Sequence, residues 1–158
     1  MQKLRVPVRV SQPHSQPRDG SLLLFPHIGR ATRPETLLEL LNSARAVIPF
    51  VPAPDDEVLL LSRRNIDWVA VSEDVPAELV VPPGPSPTHE HRAELRFLDE
   101  SRVEVRIRWI SPDSTMRVSD HLNDHPEFII VEAGFGILIV NSRRIRETRL
   151  IGAPVRLS

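Results

Sequence analysis

The chain has no cysteine and no tyrosine, one lysine, and only six glycines in 158 residues. Without cysteine, disulfide staples and thiolate chemistry are excluded, and a cytoplasmic home is the expectation. The glycines (Gly20, Gly29, Gly84, Gly134, Gly136, Gly152) never form G-x-G-x-x-G or a P-loop, so no phosphate cradle is encoded. With tyrosine absent, the five Phe and two Trp fall at positions read as core. That leaves no stacking platform for single-stranded nucleic acid. Long apolar runs are missing, so no membrane insertion is expected, and Met1–Pro7 lacks the apolar stretch of a signal peptide. No G-x-S-x-G occurs, and no serine has a recognisable histidine partner. The expectation is a protein that is not an enzyme and carries no cofactor.

An excess of one charge is missing too. The net charge is −1, with nine basic against ten acidic groups in residues 1–88 and eleven against eleven in residues 89–158. No polybasic block is available for a phosphate footprint, so neither nucleic acid nor an anionic membrane is an expected partner. A 41% hydrophobic and 26% charged composition is that of an ordinary soluble globular chain. Nineteen of the twenty basic residues are arginine.

Proline, by contrast, is abundant. Ten of its sixteen copies crowd into Gln12–Pro17, Pro49–Pro54 and Pro76–Pro87. The last stretch lacks ladder donors at five of its positions and favours extended polyproline geometry, which reads as a linker.

On either side of it a small pattern occurs twice. Leu40-Leu41-Asn42 precedes an apolar stretch, the run Val58–Leu61, and Ser62-Arg63-Arg64-Asn65-Ile66. His121-Leu122-Asn123 precedes Phe128–Val131, Ile137–Val140 and Ser142-Arg143-Arg144-Ile145. The offset is 81 at the asparagines (123 − 42) and 80 at Ser-Arg-Arg (142 − 62). Two anchors in one order suggest a duplicated unit. The expected division is a first β-rich repeat over 1–72, a proline-rich linker over 73–91 and a second repeat over 92–158.

Within the second repeat, Glu94–Leu98 and Val103–Trp109 alternate apolar with charged residues, the period of half-buried strands, with Asp99–Arg102 as the turn. Met116, Val118 and Leu122 share one side of a short helix that Asn123 is placed to stop in a left-handed conformation. Phe128–Glu132 and Gly136–Asn141 form a hairpin around Ala133-Gly134-Phe135, and Ile145–Ile151 a last strand. In the first repeat, strands are predicted over Arg5–Val10, Ser21–Phe25, Val47–Val51, Val58–Leu61 and Trp68–Val71. Thr32-Arg33-Pro34-Glu35 matches a capping box, followed by an apolar stripe of Leu37, Leu40 and Leu41. Each repeat therefore reads strand–strand–helix–strand–strand. The predicted fold is mainly β: two tandem units forming small antiparallel barrel-like sheets, each with one short helix. A unit of this size is marginal alone, so intimate packing of the two is expected.

The candidate ligand-binding residues are Arg63, Arg64, Arg143 and Arg144. Adjacent arginines at a strand end can grip a phosphate or carboxylate through charge-assisted forks, or simply end a hydrophobic strand in water. Two histidine pairs carry metal-like spacing, His121 with His125 and His89 with His91. The first lacks the glutamate of H-E-x-x-H and sits at a helix end, and the second is read as solvated linker. No metal is expected.

Arg117-Val118-Ser119-Asp120-His121-Leu122-Asn123, then Phe128, then Ile139-Val140-Asn141-Ser142-Arg143-Arg144-Ile145, resembles a small bacterial module of unassigned function. In that family an R-L-S-D-x-L-N helix precedes a hydrophobic strand and a V-N-x-x-x-I strand. The likeness covers roughly residues 93–151. The first repeat keeps Leu41-Asn42 but has Leu38-Glu39 where Ser-Asp stands in the motif. The resemblance implies a compact β-rich module and brings no activity with it. The expected function is a non-enzymatic interaction or scaffolding module that binds a protein partner or forms a homo-oligomer. The alternative is an anion or nucleotide sensor using the duplicated arginine pairs.

Overall fold

Alternation in Leu4–Ser11 puts Val6, Val8 and Val10 on one buried face and Arg5, Pro7 and Arg9 on the other, which makes strand β1. The computed structural model describes residues 3–27, 32–54, 57–111, 115–124 and 126–158. After β1 come β2 (Arg18–Leu24), helix α1 (Leu37–Leu41), β3 (Val47–Pro52), β4 (Leu59–Ser62), a 3₁₀ turn (Arg63–Asn65) and β5 (Trp68–Val71). The second half follows with β6 (His89–Phe97), β7 (Arg102–Trp109), α2 (Val118–Asn123), β8 (Phe128–Ala133), β9 (Gly136–Asn141), a 3₁₀ turn (Ser142–Arg144) and β10 (Ile145–Arg156).

The described strands make one antiparallel sheet in the order β10-β6-β7-β8-β9-β5-β1-β2-β3-β4. Both halves have the same internal order: last strand, first, second, third, fourth. They join where β9 pairs with β5, Trp68 opposite Val140, Val69 opposite Ile139 and Ala70 opposite Leu138. The mainly-β class expected from the sequence is the class observed.

The barrel-like closure is not. On β5, Val69 and Val71 face a core built with α1, while Trp68 and Ala70 face a second core built with Val118 of α2. On β8, Phe128 faces the first core and Ile129, Val131 and Ala133 face the second. Neighbouring residues of a strand point to opposite faces, so the two cores lie on opposite sides of the shared strands. A closed barrel needs one inside face. This sheet has two, and it stays open, with β4 and β10 as its ends.

Three local expectations need correction. The capping box is Thr36 with Glu39, not Thr32 with Glu35: the Thr36 hydroxyl accepts from Glu39 N–H, and the Glu39 carboxylate accepts from Thr36 N–H. Glu35 is buried and accepts instead from the Phe25 N–H at 3.2 Å. Helix α2 ends at Asp124 with φ −118°, so Asn123 is no left-handed stop. The proline-rich stretch is also partly packed: Val80 is buried in the first core and its carbonyl accepts from Leu38 N–H at 3.0 Å.

Candidate functional site

The four candidate arginines lie at the two 3₁₀ turns that end β4 and β9, beside the junction between the halves. Hairpin registers fix how these turns correspond. Val47 faces Ser62 where Phe128 faces Asn141, and Ile66 and Ile145 close the turns. Positions thus match at an offset of 81 in β3 and β8 (128 − 47) and 79 in β4 and β9 (141 − 62). Ser62-Arg63-Arg64 consequently falls opposite Asn141-Ser142-Arg143. The repeated Ser-Arg-Arg letters are one residue out of structural register.

The arginines accordingly do not act as two equivalent pairs. Arg63 is buried, and its guanidinium donates to the carbonyls of Arg45 (2.8 Å) and Leu41 (3.1 Å) and to Glu127 Oε2 (2.9 Å). Glu127 belongs to the other half, so this ion pair ties the halves together. Arg144 makes the reciprocal tie, with Nε 3.1 Å from Oδ1 of Asp67. Burial pushes the Asp67 carboxyl above its ordinary value of 3.8, outweighing the hydrogen bond from Arg144. Arg64 and Arg143 are solvent-facing: Arg64 is exposed, and the Arg143 guanidinium lies 4.0 Å from Glu127 on a largely exposed side chain. The structure brings Arg63 and Arg143 to one carboxylate and Arg144 to another. It forms no shared anion fork from the four.

Asparagine side chains add hydrogen bonds across the junction to those of the β9–β5 ladder. Asn42, the C-cap of α1, donates from Nδ2 to the Phe128 carbonyl (3.0 Å) and accepts at Oδ1 from the Phe128 N–H (2.8 Å). Asn141 Nδ2 donates to the Ile66 carbonyl at 3.0 Å. In the sequence Asn42 reads as a repeat marker, and Asn141 only as a strand end and a letter of the family motif. Their role as clamps needed the fold.

The histidines read as solvated linker belong to β6: His91 is buried against the Gly152 carbonyl (2.9 Å), and His89 stacks on Trp109. His121 also stacks on Trp109, and His125 lies outside the described residues. Among the described residues no three His, Asp or Glu side chains come together as metal ligands.

A second feature lies at the far end of the sheet. In the β3–β4 hairpin, Ile48, Phe50 and Leu61 face the first core. Val47, Pro49 and Leu60 form the other face, with Val58 just before β4, and Leu60 is 67% and Val47 45% exposed. The matching residues of the β8–β9 hairpin, Ile139 and Phe128, are both 0% exposed because the first core receives them. One hairpin thus has apolar faces covered on both sides and the other on one side only.

A groove of about 910 Å³ runs across the outer face of β1 and β5 to the tips of the β6–β7 and β8–β9 hairpins. Trp68 and Phe135 line it together with Arg9, Asp19, Asp99 and Arg102, charges of both signs, and Arg9 is already paired to Asp19 at 2.8 Å. None of the four candidate arginines lines it.

No protein-family model, curated protein or solved structure matches this chain.

Proposed function

We propose that the chain is a duplicated, non-enzymatic interaction module that binds a protein partner, or a copy of itself, through the bare face of its β3–β4 hairpin. One observation supports this best: Leu60 and Val47 lie exposed where Ile139 and Phe128, at matching positions, are buried. Burying such a face returns roughly 25 cal/mol per Å² of apolar area, and contiguous exposed apolar patches mark contact sites. The arginines give less support to the sensor alternative, because Arg63 and Arg144 are held by Glu127 and Asp67.

The test is a pull-down from the native host with two baits, wild type and Leu60→Arg. A partner captured by the first and lost from the second supports the module, whereas capture indifferent to Leu60→Arg contradicts it. A nucleotide-induced rise in Tm that vanishes in Arg64→Ala with Arg143→Ala moves the reading to a sensor.

A further inference from the structure

We infer that the partner of the bare hairpin face is a second copy of this chain, joined head to tail: β4 of one copy pairs with β10 of the next. This rests on the reading of that face as an interaction surface and names its occupant. The template is the junction already inside the molecule. There β9 pairs with β5, and the β8–β9 hairpin lends Phe128 and Ile139 to the core of the other half. The matching strands, β4 and β10, are the two uncovered ends of the same sheet. Lying at opposite ends, with no ladder between them among the described residues, they leave each other's edge open in one chain.

Both sides of the missing contact carry the corresponding defect. On the donor side, Val47 and Leu60 are the exposed counterparts of Phe128 and Ile139. On the receiving side, β10 places Thr148 opposite Leu95 and Leu150 opposite Ala93, both in the second core. Yet Leu150 is 47% exposed where its counterpart Val71 is 9% exposed. Leu122 and Ile145 are half-buried where their counterparts Leu41 and Ile66 are fully buried. The second core is therefore open at the place where the first receives its neighbour's hairpin. Asn123, exposed on α2, matches Asn42, whose side chain clamps Phe128. In the assembly it stands against the backbone of Val47 in the next copy. Transposing the β9–β5 register by 79 residues sets Leu59 against Arg149, Leu60 against Thr148 and Leu61 against Glu147.

The internal junction also has ties that this contact lacks. Arg63 and Glu127 match Ser142 and Ala46, so the buried ion pair has no equivalent, and Ser62 stands where Asn141 does. The contact between copies is consequently weaker than the one within a chain, and reversible. Being heterologous, it leaves one hairpin face and one β10 edge open at the ends of every assembly that does not close into a ring.

The experiment is sedimentation velocity on the full chain over micromolar to millimolar concentrations, with two edge variants, Leu60→Arg on β4 and Leu150→Glu on β10. Wild type should show mass growing with concentration. Each variant alone should stay monomeric, and an equimolar mixture should recover a one-to-one dimer, because each retains the edge the other has lost. Wild type that stays monomeric throughout overturns the second-copy inference, as does a Leu150→Glu chain that still dimerises alone. A cysteine pair guards against variants that fail to fold: in this cysteine-free chain, Leu60→Cys mixed with Thr148→Cys should oxidise to a heterodimer, while neither alone should reach that yield. Equal yields in the mixture and the separate chains count against the register. A monomeric wild type that captures a host protein through Leu60 would sink this inference and leave the broader module standing.

Discussion

Replacing Arg63 with alanine should be among the most damaging single changes in the chain, although Arg143, its counterpart by letter, is largely exposed. Its guanidinium is buried against Glu127, itself nearly buried, and it also donates to two backbone carbonyls. Truncation leaves the Glu127 carboxylate desolvated, unpaired by Arg63, and already with one oxygen, Oε1, lacking a partner. Breaking a buried pair from one side costs about 3–5 kcal/mol. For a chain of this length that corresponds to a fall in Tm of roughly 6–20 °C. Arg143→Ala removes a largely exposed side chain 4.0 Å from the same carboxylate, so its effect should stay within about 0.5 kcal/mol. The assay is urea unfolding followed by far-UV circular dichroism, with m-values compared to exclude a change in the denatured state. The double variant Arg63→Met with Glu127→Met should recover much of the loss, giving a coupling of about 1–3 kcal/mol. Equal effects of Arg63→Ala and Arg143→Ala, or a coupling near zero, would refute the reasoning that Arg63 and Glu127 lock the halves together.

Asn42→Ala should cost about 1–3 kcal/mol, because it orphans the Phe128 N–H and carbonyl at a buried position. Asn123→Ala, at an exposed site, should leave the stability of dilute protein unchanged in the same unfolding assay. Glu39 is held down to about 2, chiefly by the Arg33 guanidinium against its carboxylate. Its contribution is therefore complete above its ordinary value of 4.5 and is lost as pH falls toward about 2. Thermal melts from pH 6 down to 2 should show a shallower acid limb in Glu39→Gln. Asp67 has the opposite sign: a raised folded value means its ionisation opposes folding as pH rises above 3.8, and Asp67→Asn should remove that slope. Gly20→Ala should destabilise by about 1–3 kcal/mol in thermal unfolding, since a Cβ there would stand 2.4 Å from the Val51 carbonyl and 2.5 Å from the Phe50 ring.

Period-two alternation made β1, β6 and β7 legible, because one face of each is wet and the other dry. Helix α1 could be read from the spacing of Leu37, Leu40 and Leu41. Its start could not be, since Thr32-x-x-Glu35 and Thr36-x-x-Glu39 fit the same box and only the burial of Glu35 separates them. Val58-Leu59-Leu60-Leu61 held a further signal. Continuous apolar runs belong to strands covered on both faces, whereas in this chain Leu61 is buried and Leu60 is 67% exposed, so the run has one face covered. Closure was misread because period two says which residues share a face and not which half's core that face meets. The arginine motif was misread because letter identity aligned Ser62 with Ser142, whereas the hairpin ladder aligns Ser62 with Asn141. The Arg63–Glu127 and Asn42–Phe128 contacts span 64 and 86 residues, and no local pattern encodes a contact at that distance.

Amide hydrogen exchange, measured by mass spectrometry on the intact chain at low and high concentration, tests most directly whether the two uncovered strands are the contact surfaces. Protection of Leu59–Ser62 and of the outer amides of Ile145–Arg156 should rise together with concentration, while the β9–β5 junction stays protected throughout. Protection of both edges that does not change with concentration, or a change confined to the groove around Trp68 and Phe135, would contradict the account.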